Sequence, residues 1–433
     1  MPHTRRLLPV SLLAILASLN AAAGAVTVIL GAKLIDGAGG APVEDSIVVV
    51  ENGRIRAAGP RAKVPVPKDS TRIDASGKVI IPGLIDTHCH YWASIDDVKK
   101  FLLVQLRWGI TTTRSVGTDS PEAVAMMHEA RDGKFLAPRV YTSGYGFSAP
   151  KGSPGFAVPI NRPANEEEAR AAVRTLAAQK VDFIKIWVEG GGGNTPKITP
   201  QIRVAIVEEA RKHRIPIVAH VTAIEDLRQL AELGVADLLH TPRDATATAD
   251  LIAYAKSKGL SFAPTFANSE SGWHYFEHPE LLKDPMLQGA FHPKGWARVN
   301  DPAEREKALA GNIAQRKERI KDAYRFVKGM HDGGVRIISG SDTGAELAPV
   351  PYGGATHREI EMLVEAGLTP VAAIRAATLD SARVLTRTAN PEYGSIVAGK
   401  AADLVLLDAD PTVNIGNLHR IHKVMRAGQW VPQ

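Results

Sequence analysis

His88, Cys89 and His90 are the first residues along the chain whose types and spacing could support chemistry. They follow the apolar run 79–85. In an extended strand, residues i and i+2 point to the same face, so both imidazoles could ligate one cation. An isolated His-x-His pair is more often an ordinary loop or a buried pair. The pair therefore indicates a metal site only if other ligands accompany it.

Further residues of metal-ligating type lie at the ends of later apolar runs. Lys185 lies in 183–187, His220 ends 217–220, His240 ends 238–240 and Asp342 ends 337–342. Each alone has an ordinary explanation: a histidine packed in the core, a lysine that reaches solvent, or an aspartate that begins a turn. Together, four histidines, one lysine and one aspartate at such positions favour a shared metal site.

The elements that must position these residues alternate between strand-like and helix-like patterns over 81–387. Apolar runs end at His90, 113–116, 141–143, 185–188, His220, His240, 265–266 and Asp342, and amphipathic stretches cover 166–179, 200–213, 224–233 and 250–258. This alternation predicts an α/β fold, a (β/α)8 TIM-like barrel. The carboxyl ends of barrel strands converge on one mouth, so the six residues would meet there.

The sequence pattern is different at the two ends of the chain. Residues 26–80 and 388–433 contain short alternating runs broken by Gly and Pro, which predicts a small β-sandwich domain built from both termini. Within the barrel region, 267–304 is a long aromatic stretch after the seventh predicted strand. It is either a lid over the mouth or a subdomain that packs on itself.

Residues 1–25 have the pattern of a cleavable secretory signal: Arg5 and Arg6, an apolar run over 7–19, and small residues before 26. A buried first helix is the alternative. Arg5 and Arg6 also partly match a twin-arginine signal, so the predicted location is periplasmic or secreted, by the Sec or the Tat route. No other run approaches about 18 apolar residues, so stable membrane insertion is not expected.

Composition narrows the classes further. The formal net charge is +6, and the basic residues are scattered without a dense run or interleaved aromatics, which argues against nucleic-acid binding. Cys89 is the only cysteine, so intrachain disulfides are impossible. Cys89 would point away from its two histidine neighbours on the strand, and we interpret it as a packing residue.

The order His-x-His, Lys, His, His, Asp resembles the amidohydrolase superfamily, specifically its imidazolonepropionase-like and prolidase-like members. The flanking phrases at 81–88 (IPGLIDTH), 367–370 (GLTP), 373–378 (AIRAAT) and 394–405 (GSIVAGKAADLV) agree. The resemblance covers essentially all of the chain after the signal segment, and it says little about the substrate.

The resemblance implies a binuclear centre. His88, His90 and Asp342 would hold one divalent metal ion and His220 and His240 a second, while Lys185, carbamylated by CO2, would bridge both. Zinc is the expected metal, with manganese, cobalt or iron as alternatives. A hydroxide bridging the ions would attack the substrate, and Asp342 would carry the proton to the leaving group.

Three residues are candidates for contact with the substrate. Arg243 could bind a carboxylate, or pair with Asp244 or another nearby carboxylate. His357 could polarise a carbonyl, or simply begin a helix, and Tyr145 could touch the ligand, or pack. The segment 189–196 lacks the tyrosine with which many prolidase-like relatives grip a substrate carboxylate, and its glycines do not form a phosphate loop.

These observations predict an exported, binuclear metal-dependent hydrolase that cleaves amide bonds of peptides or N-acyl amino acids. Hydrolysis of a lactone, another ester or a cyclic amide is the enzymatic alternative. A periplasmic metal-binding protein without catalysis is the non-enzymatic one. The expected partner is a small-molecule substrate, and a homo-oligomer is left open.

Overall fold

The computed structural model describes residues 26–155, 159–190, 193–344 and 348–432. The predicted signal segment, 1–25, lies outside the described residues. The described chain mixes helices with parallel and antiparallel strands, as the predicted α/β class requires. None of the helices in those residues is both long enough and apolar enough to cross a membrane.

Six strands lie in the first part of the described chain, before residue 83. They are β1 (Val26–Leu30), β2 (Lys33–Leu34), β3 (Ser46–Glu51), β4 (Arg54–Pro60), β5 (Ser70–Asp74) and β6 (Val79–Pro82). Isoleucine and valine dominate β1, β3 and β6, in keeping with the preference of β-branched side chains for a pleated, half-buried surface. Strand β6 ends two residues beyond the predicted domain boundary at residue 80.

Eight parallel strands follow. They are β7 (Leu84–Cys89), β8 (Ile110–Ser115), β9 (Arg139–Thr142), β10 (Ile184–Val188), β11 (Ile217–Val221), β12 (Asp237–Leu239), β13 (Ser261–Ala263) and β14 (Arg336–Ile337). Strands β7 to β9 form one sheet and β10 to β14 another, each in sequence order. At one junction Phe147 N donates to Lys185 O (2.8 Å), and at the other Thr87 N donates to Ser339 O (3.0 Å). The two sheets are therefore linked at both edges, in a TIM-barrel-type arrangement.

Helices lie between these strands, as the alternating pattern predicts, and three more of the described helices follow β14. They are α1 (Ile95–Arg107), α2 (Pro121–Arg131), α3 (Glu166–Ala178), α4 (Pro200–Lys212), α5 (Ile224–Glu232), α6 (Ala249–Ser257), α7 (Phe266–Glu270), α8 (His274–Glu277), α9 (Pro285–Gln288), α10 (Pro293–Val299), α11 (Pro302–Leu309), α12 (Ile313–Asp332), α13 (Gly354–Glu365), α14 (Pro370–Arg375) and α15 (Ser381–Thr386). Asn165, Thr199 and Thr248 cap α3, α4 and α6 by accepting backbone N–H groups of the first turn.

The last strands return to the terminal sheets. They are β15 (Leu404–Leu407), β16 (Ile421–Arg426) and β17 (Gln429–Trp430). The first terminal sheet has the order β4-β3-β1-β5 and the second β17-β16-β15-β6-β2. Ile29 and Val48 of the first sheet and Leu404 and Met425 of the second belong to one apolar core. Both ends of the described chain thus build these packed sheets, whereas the domain limits 26–80 plus 388–433 and 81–387 stay predictions.

The aromatic stretch after β13 forms the short helices α7 to α11. Trp273, Tyr275, Phe276 and Phe291 are buried. Arg358 of α13 forms an ion pair with Glu270 of α7, with Nη2 3.0 Å from the carboxylate. These contacts favour the interpretation of 267–304 as a packed subdomain.

Candidate metal centre

Five of the six residues of metal-ligating type lie at or beyond the carboxyl ends of the parallel strands, and Lys185 lies within its strand. His88 lies on β7 and His90 one residue beyond it, Lys185 is on β10, His220 on β11, His240 directly after β12, and Asp342 after β14. The prediction that Asp342 ends its strand is wrong, because β14 ends at Ile337. The chain then follows β7 instead: Asp342 N donates to His88 O at 2.8 Å.

His88, His90 and Asp342 form the tightest part of the cluster. Nε2 of His88 lies 3.1 Å and Nε2 of His90 3.0 Å from Oδ1 of Asp342. The candidate ligand atoms of the three residues all lie within 4.8 Å of one another, a grouping that could hold a metal ion. Two imidazoles and a carboxylate are ligands that zinc and related ions accept.

His240 approaches the second oxygen of the same carboxylate, and His220 lies beside His240. Nε2 of His240 is 3.9 Å from Oδ2 of Asp342, and the rings of His220 and His240 are 4.1 Å apart between centroids. The two oxygens of Asp342 therefore face different histidines, Oδ1 toward the β7 pair and Oδ2 toward His240.

Lys185 is fully buried beside this cluster. Within the described residues its Nζ has no hydrogen-bond partner, and it lies 4.9 Å from the centre of the Trp187 ring. Burial lowers the pKa of Lys185 to about 7, although the charge of Asp342 opposes that shift. A lysine in this position carries its proton weakly.

Two glycines make the space that Lys185 and Trp187 occupy. A Cβ at Gly146 would lie 2.4 Å from Cζ3 of Trp187 and 3.0 Å from Cγ of Lys185, and a Cβ at Gly117 would come within 2.2 Å of the same indole. Such distances are shorter than real carbon contacts, so side chains at either position would displace the lysine and the tryptophan.

The donor set fits divalent cations. Burial lowers the pKa of His88 and His240 well below the usual histidine value, and it lowers that of His220 as well. The imidazoles are therefore neutral, the form that binds metals. Within the described residues, Nε2 of His240 and Nζ of Lys185 are buried without hydrogen-bond partners, which is unusual for polar atoms. Metal ions would satisfy atoms of this kind.

Asp86 holds the two segments of the β7–β14 junction in register. This buried carboxylate accepts hydrogen bonds from Oγ of Ser341 (2.6 Å), Oγ1 of Thr356 (2.6 Å) and N of His88 (3.1 Å). Next to it, a Cβ at Gly340 would lie 2.9 Å from Cβ of His88. Both features fix where His88 and Asp342 sit relative to one another.

The backbone is strained at three non-glycine residues around the centre. His240, Thr265 and Asp342 have φ values of 70°, 60° and 57°. For residues with a Cβ this left-handed region is uncommon, and such strain concentrates at functional sites. Thr265 also hydrogen-bonds through Oγ1 to Nδ1 of His240, which orients the ring so that Nε2 faces Asp342.

Glu189 and Arg243 lie at the edge of the centre. Oε2 of Glu189 is 3.3 Å from Nε2 of His220, 2.7 Å from Oγ1 of Thr222 and 3.6 Å from Nη1 of Arg243. The Arg243 side chain is 69% exposed. Its carboxylate neighbour is Glu189; Asp244 instead accepts the N–H of Ile224 at the start of α5.

Sequence reasoning missed the roles of Trp187 and Glu189. Both were detectable, because residues 185, 187 and 189 alternate along one strand and its continuation, and alternate residues share a face. The ring of Trp187 is stacked with that of His90, at 6.3 Å between centroids and 16° between planes. The side of the strand that carries Lys185 thus also supplies an aromatic wall and an acid.

The other residues singled out in the sequence lie in different parts of the structure. Tyr145 is half-buried and directly precedes Gly146. His357 is fully buried elsewhere: its Nε2 lies 2.7 Å from the carbonyl oxygen of Trp108, before β8 begins. The structure therefore does not bring His357 to the metal-ligating cluster. Cys89 is buried with Sγ 3.0 Å from Oγ1 of Thr113, which confirms its interpretation as a packing residue.

Comparison with known proteins gives one family and several relatives. The Amidohydrolase family matches residues 79–431. Ochratoxinase from Aspergillus niger is 25% identical over 90% of this chain and 82% of its own length, and enamidase from Eubacterium barkeri is 25% identical over 87% and 85%. An Xaa-Pro dipeptidase structure with methionine bound in its active site has a TM-score of 0.73 and 22% identity, covering 94% of this chain and 100% of the other. That last likeness concerns the fold alone.

Proposed function

This chain belongs to the amidohydrolase family and is a hydrolase of carbon–nitrogen amide bonds, and on that premise we propose that it is an exported, binuclear metal-dependent enzyme. Its proposed substrates are peptides or N-acyl amino acids with a carboxylate near the scissile bond. The observation that carries the binuclear proposal is the position of Asp342, whose Oδ1 faces His88 and His90 and whose Oδ2 faces His240.

The proposed ligands combine that division with the resemblance to the family. His88, His90 and Asp342 would hold one ion, and His220 and His240 would hold the other, with zinc as the expected metal. Lys185 would be shared by the two sites as its carbamate, because a carbamate has two oxygens that can bind cations whereas an ammonium has no acceptor. The buried Nζ without a hydrogen-bond partner within the described residues supports this proposal. When bound, the ions lower the pKa of water and polarise the substrate carbonyl.

Asp342 is the proposed proton carrier. Its carboxylate accepts a proton from the attacking water and returns it to the leaving nitrogen, so that an amine departs and a carboxylic acid remains. Its strained backbone, with φ at 57°, is held by the hydrogen bond from its N–H to His88 O and by Asn268 Nδ2, which donates to the Asp342 carbonyl at 3.2 Å. The backbone that carries the carboxylate is thus fixed beside His88.

Arg243 is the proposed contact for the substrate carboxylate. Its side chain is 69% exposed and lies 3.6 Å from Glu189, which itself borders His220. A guanidinium can bind a carboxylate through two parallel hydrogen bonds. A substrate anchored there would place its scissile bond toward the histidines.

The test is product detection from a pooled library of dipeptides, N-acyl amino acids and lactones, using zinc-loaded protein lacking residues 1–25. Asp342→Asn serves as the matched control. Release of an amino acid by the wild-type protein alone supports the proposal. Turnover of lactones only would replace it with an esterase function, and metal binding without any turnover would favour a metal-binding protein.

Export is tested separately. The full chain is produced in a bacterial host, and the amino terminus of the protein from the periplasm is sequenced. Cleavage close to residue 25 supports the secretory signal, and retention of the intact chain in the cytoplasm contradicts it. Replacing Arg5 and Arg6 with lysine distinguishes the routes, because only twin-arginine export depends on the arginine pair.

A further inference from the structure

An apolar cleft of about 380 Å³ lies beside α1, α9 and β16. Its floor includes Trp108, Val424 and Val431, all buried, and Val104 of α1 and Met286 of α9 form part of its walls. Trp108 precedes β8, so the cleft is at the amino end of that strand, whereas His88 and His90 are at the carboxyl end of β7. The cleft is therefore separate from the proposed active site.

The size and lining of the cleft suit a small apolar molecule. Ligand pockets in proteins typically measure roughly 300–1,000 Å³ and are lined mainly by apolar side chains around a few polar groups. The floor belongs to the main apolar core, yet Met286 remains 37% exposed at the wall. Filling the cleft with a hydrocarbon chain would remove this exposed apolar surface from water, which is favourable.

Two basic residues at the rim of the cleft indicate that the ligand also carries an anionic group. Arg107 and Lys423 both line the cleft, and none of the described residues that line it is acidic. Within the described part of the chain, neither cation lies within ion-pairing distance of a carboxylate: Nε of Arg107 donates to the Pro432 carbonyl at 3.4 Å, and Nζ of Lys423 lies 5.7 Å from the centre of the Trp430 ring.

The acidic residue nearest in sequence to the lining residues already accepts a hydrogen bond. Asp284 caps α9, where its Oδ1 accepts the N–H of Met286 at 2.9 Å. A carboxylate brought by a ligand would therefore meet two cations, and arginine binds carboxylates with directional, charge-assisted hydrogen bonds.

We propose that this cleft binds an aliphatic carboxylate, with its hydrocarbon chain against Trp108 and Val424 and its anionic group between Arg107 and Lys423. This inference does not rest on the proposed reaction, because none of these residues is a metal ligand or a proposed substrate contact.

The probe is decanoate below its critical micelle concentration, titrated calorimetrically into metal-loaded protein lacking residues 1–25. We expect saturable binding with one site per chain. Decyltrimethylammonium and decanol, which match the chain length but lack the anionic group, should bind at least ten-fold more weakly, and acetate, which lacks the chain, should not bind measurably. Equal binding of all three decyl compounds would reduce the cleft to a nonspecific apolar patch and overturn the proposal.

Variants locate the site. Arg107→Gln combined with Lys423→Gln should raise the Kd for decanoate at least ten-fold, and so should Met286→Glu, which adds a negative charge to the exposed wall. The matched control is Lys68→Gln combined with Arg72→Gln, two exposed cations near and on β5, which should leave the Kd within two-fold. Binding should also persist in Asp342→Asn. Loss of binding in Asp342→Asn, or equal loss in the control pair, would assign decanoate to the metal centre or to the general surface and contradict the inference.

Discussion

Nζ of Lys185 lies 4.9 Å from the centre of the Trp187 ring, with both side chains on the same face of β10. The indole can attract a cation, but it cannot accept the hydrogen bonds that a buried ammonium requires. The amine therefore carries its proton weakly. The proposed carbamate would form when the neutral amine attacks CO2, with an N–C bond made and one proton released from the nitrogen.

We expect Lys185→Met to lower the zinc content measured by elemental mass spectrometry from two ions per chain to one or none. Lys197→Met is the matched control, since Lys197 pairs with Asp226 and is not a proposed ligand. Wild-type protein reconstituted with 13C-labelled bicarbonate should also show a carbamate resonance that the Lys185 variant lacks. Two zinc ions in Lys185→Met would exclude the bridging role.

Gly340→Ala tests how closely the β7–β14 junction controls the centre. The new Cβ would lie 2.9 Å from Cβ of His88 and 3.1 Å from Cβ of Ala263, so the backbone must shift. Overpacking of this kind costs roughly 1–3 kcal/mol. We expect the free energy of unfolding of the metal-free protein, measured in urea, to fall by that amount. Zinc should also bind more weakly, because His88 moves relative to Asp342.

The same substitution at Gly289 provides the comparison. Gly289 has an ordinary φ of −88°, and the space beside it is open, with no atom within 4 Å of an added Cβ. Gly289→Ala should change neither stability nor zinc affinity appreciably. If the two variants behaved alike, crowding at His88 would not explain the effect of Gly340→Ala.

Arg243→Gln tests the proposed recognition of a substrate carboxylate. A hydrogen bond to a charged group contributes about 1.5–3 kcal/mol, so KM for a carboxylate-bearing substrate should rise roughly 10- to 100-fold, while kcat changes less. The amide or methyl ester of the same substrate should show no such difference between the two proteins. Arg56→Gln, an exposed arginine on β4, is the control variant. An equal KM increase for both forms of the substrate would contradict carboxylate recognition.

Most positions of the candidate ligands could be predicted because they depend on local patterns. His88, His220 and His240 each close an apolar run, and such runs are short buried strands whose carboxyl ends meet in a parallel α/β fold. Helix limits agreed within one residue for α3, where a predicted 166–179 is observed as Glu166–Ala178. Caps such as Asn165 mark those limits in the sequence itself.

Other features depend on contacts that no local pattern reveals. Asp342 lies beyond its strand because residues 338–342 follow β7, and Asp86 fixes that path through Ser341 and Thr356, which are distant in sequence. His357 begins a helix as the sequence allows, but the face it presents to Trp108 is set by how α13 docks. The sequence alone also left the ion-pair partner of Arg243 undetermined. The fold places Glu189 beside it.

His357 leads to a prediction about pH. Burial lowers its pKa from 6.5 to about 3, because a charged imidazolium would have to be accommodated between Trp108 and His419. The folded-state pKa is lower than the unfolded one, so the unfolded chain binds more protons in the interval between them. The stability contributed by neutral His357 is therefore present above pH 6.5 and is lost progressively as the pH falls toward 3.

At about 1.4 kcal/mol per pKa unit, this loss is on the order of 3 kcal/mol between pH 7 and pH 4. His357→Gln keeps a donor for the Trp108 carbonyl but has no proton to bind, so its free energy of unfolding should fall less over that interval. His278→Gln, at an exposed histidine, should follow the wild-type pH dependence. The measurement is urea unfolding of metal-free protein at several pH values. A constant difference between wild type and His357→Gln from pH 7 to pH 4 would show that His357 titrates normally in the folded state.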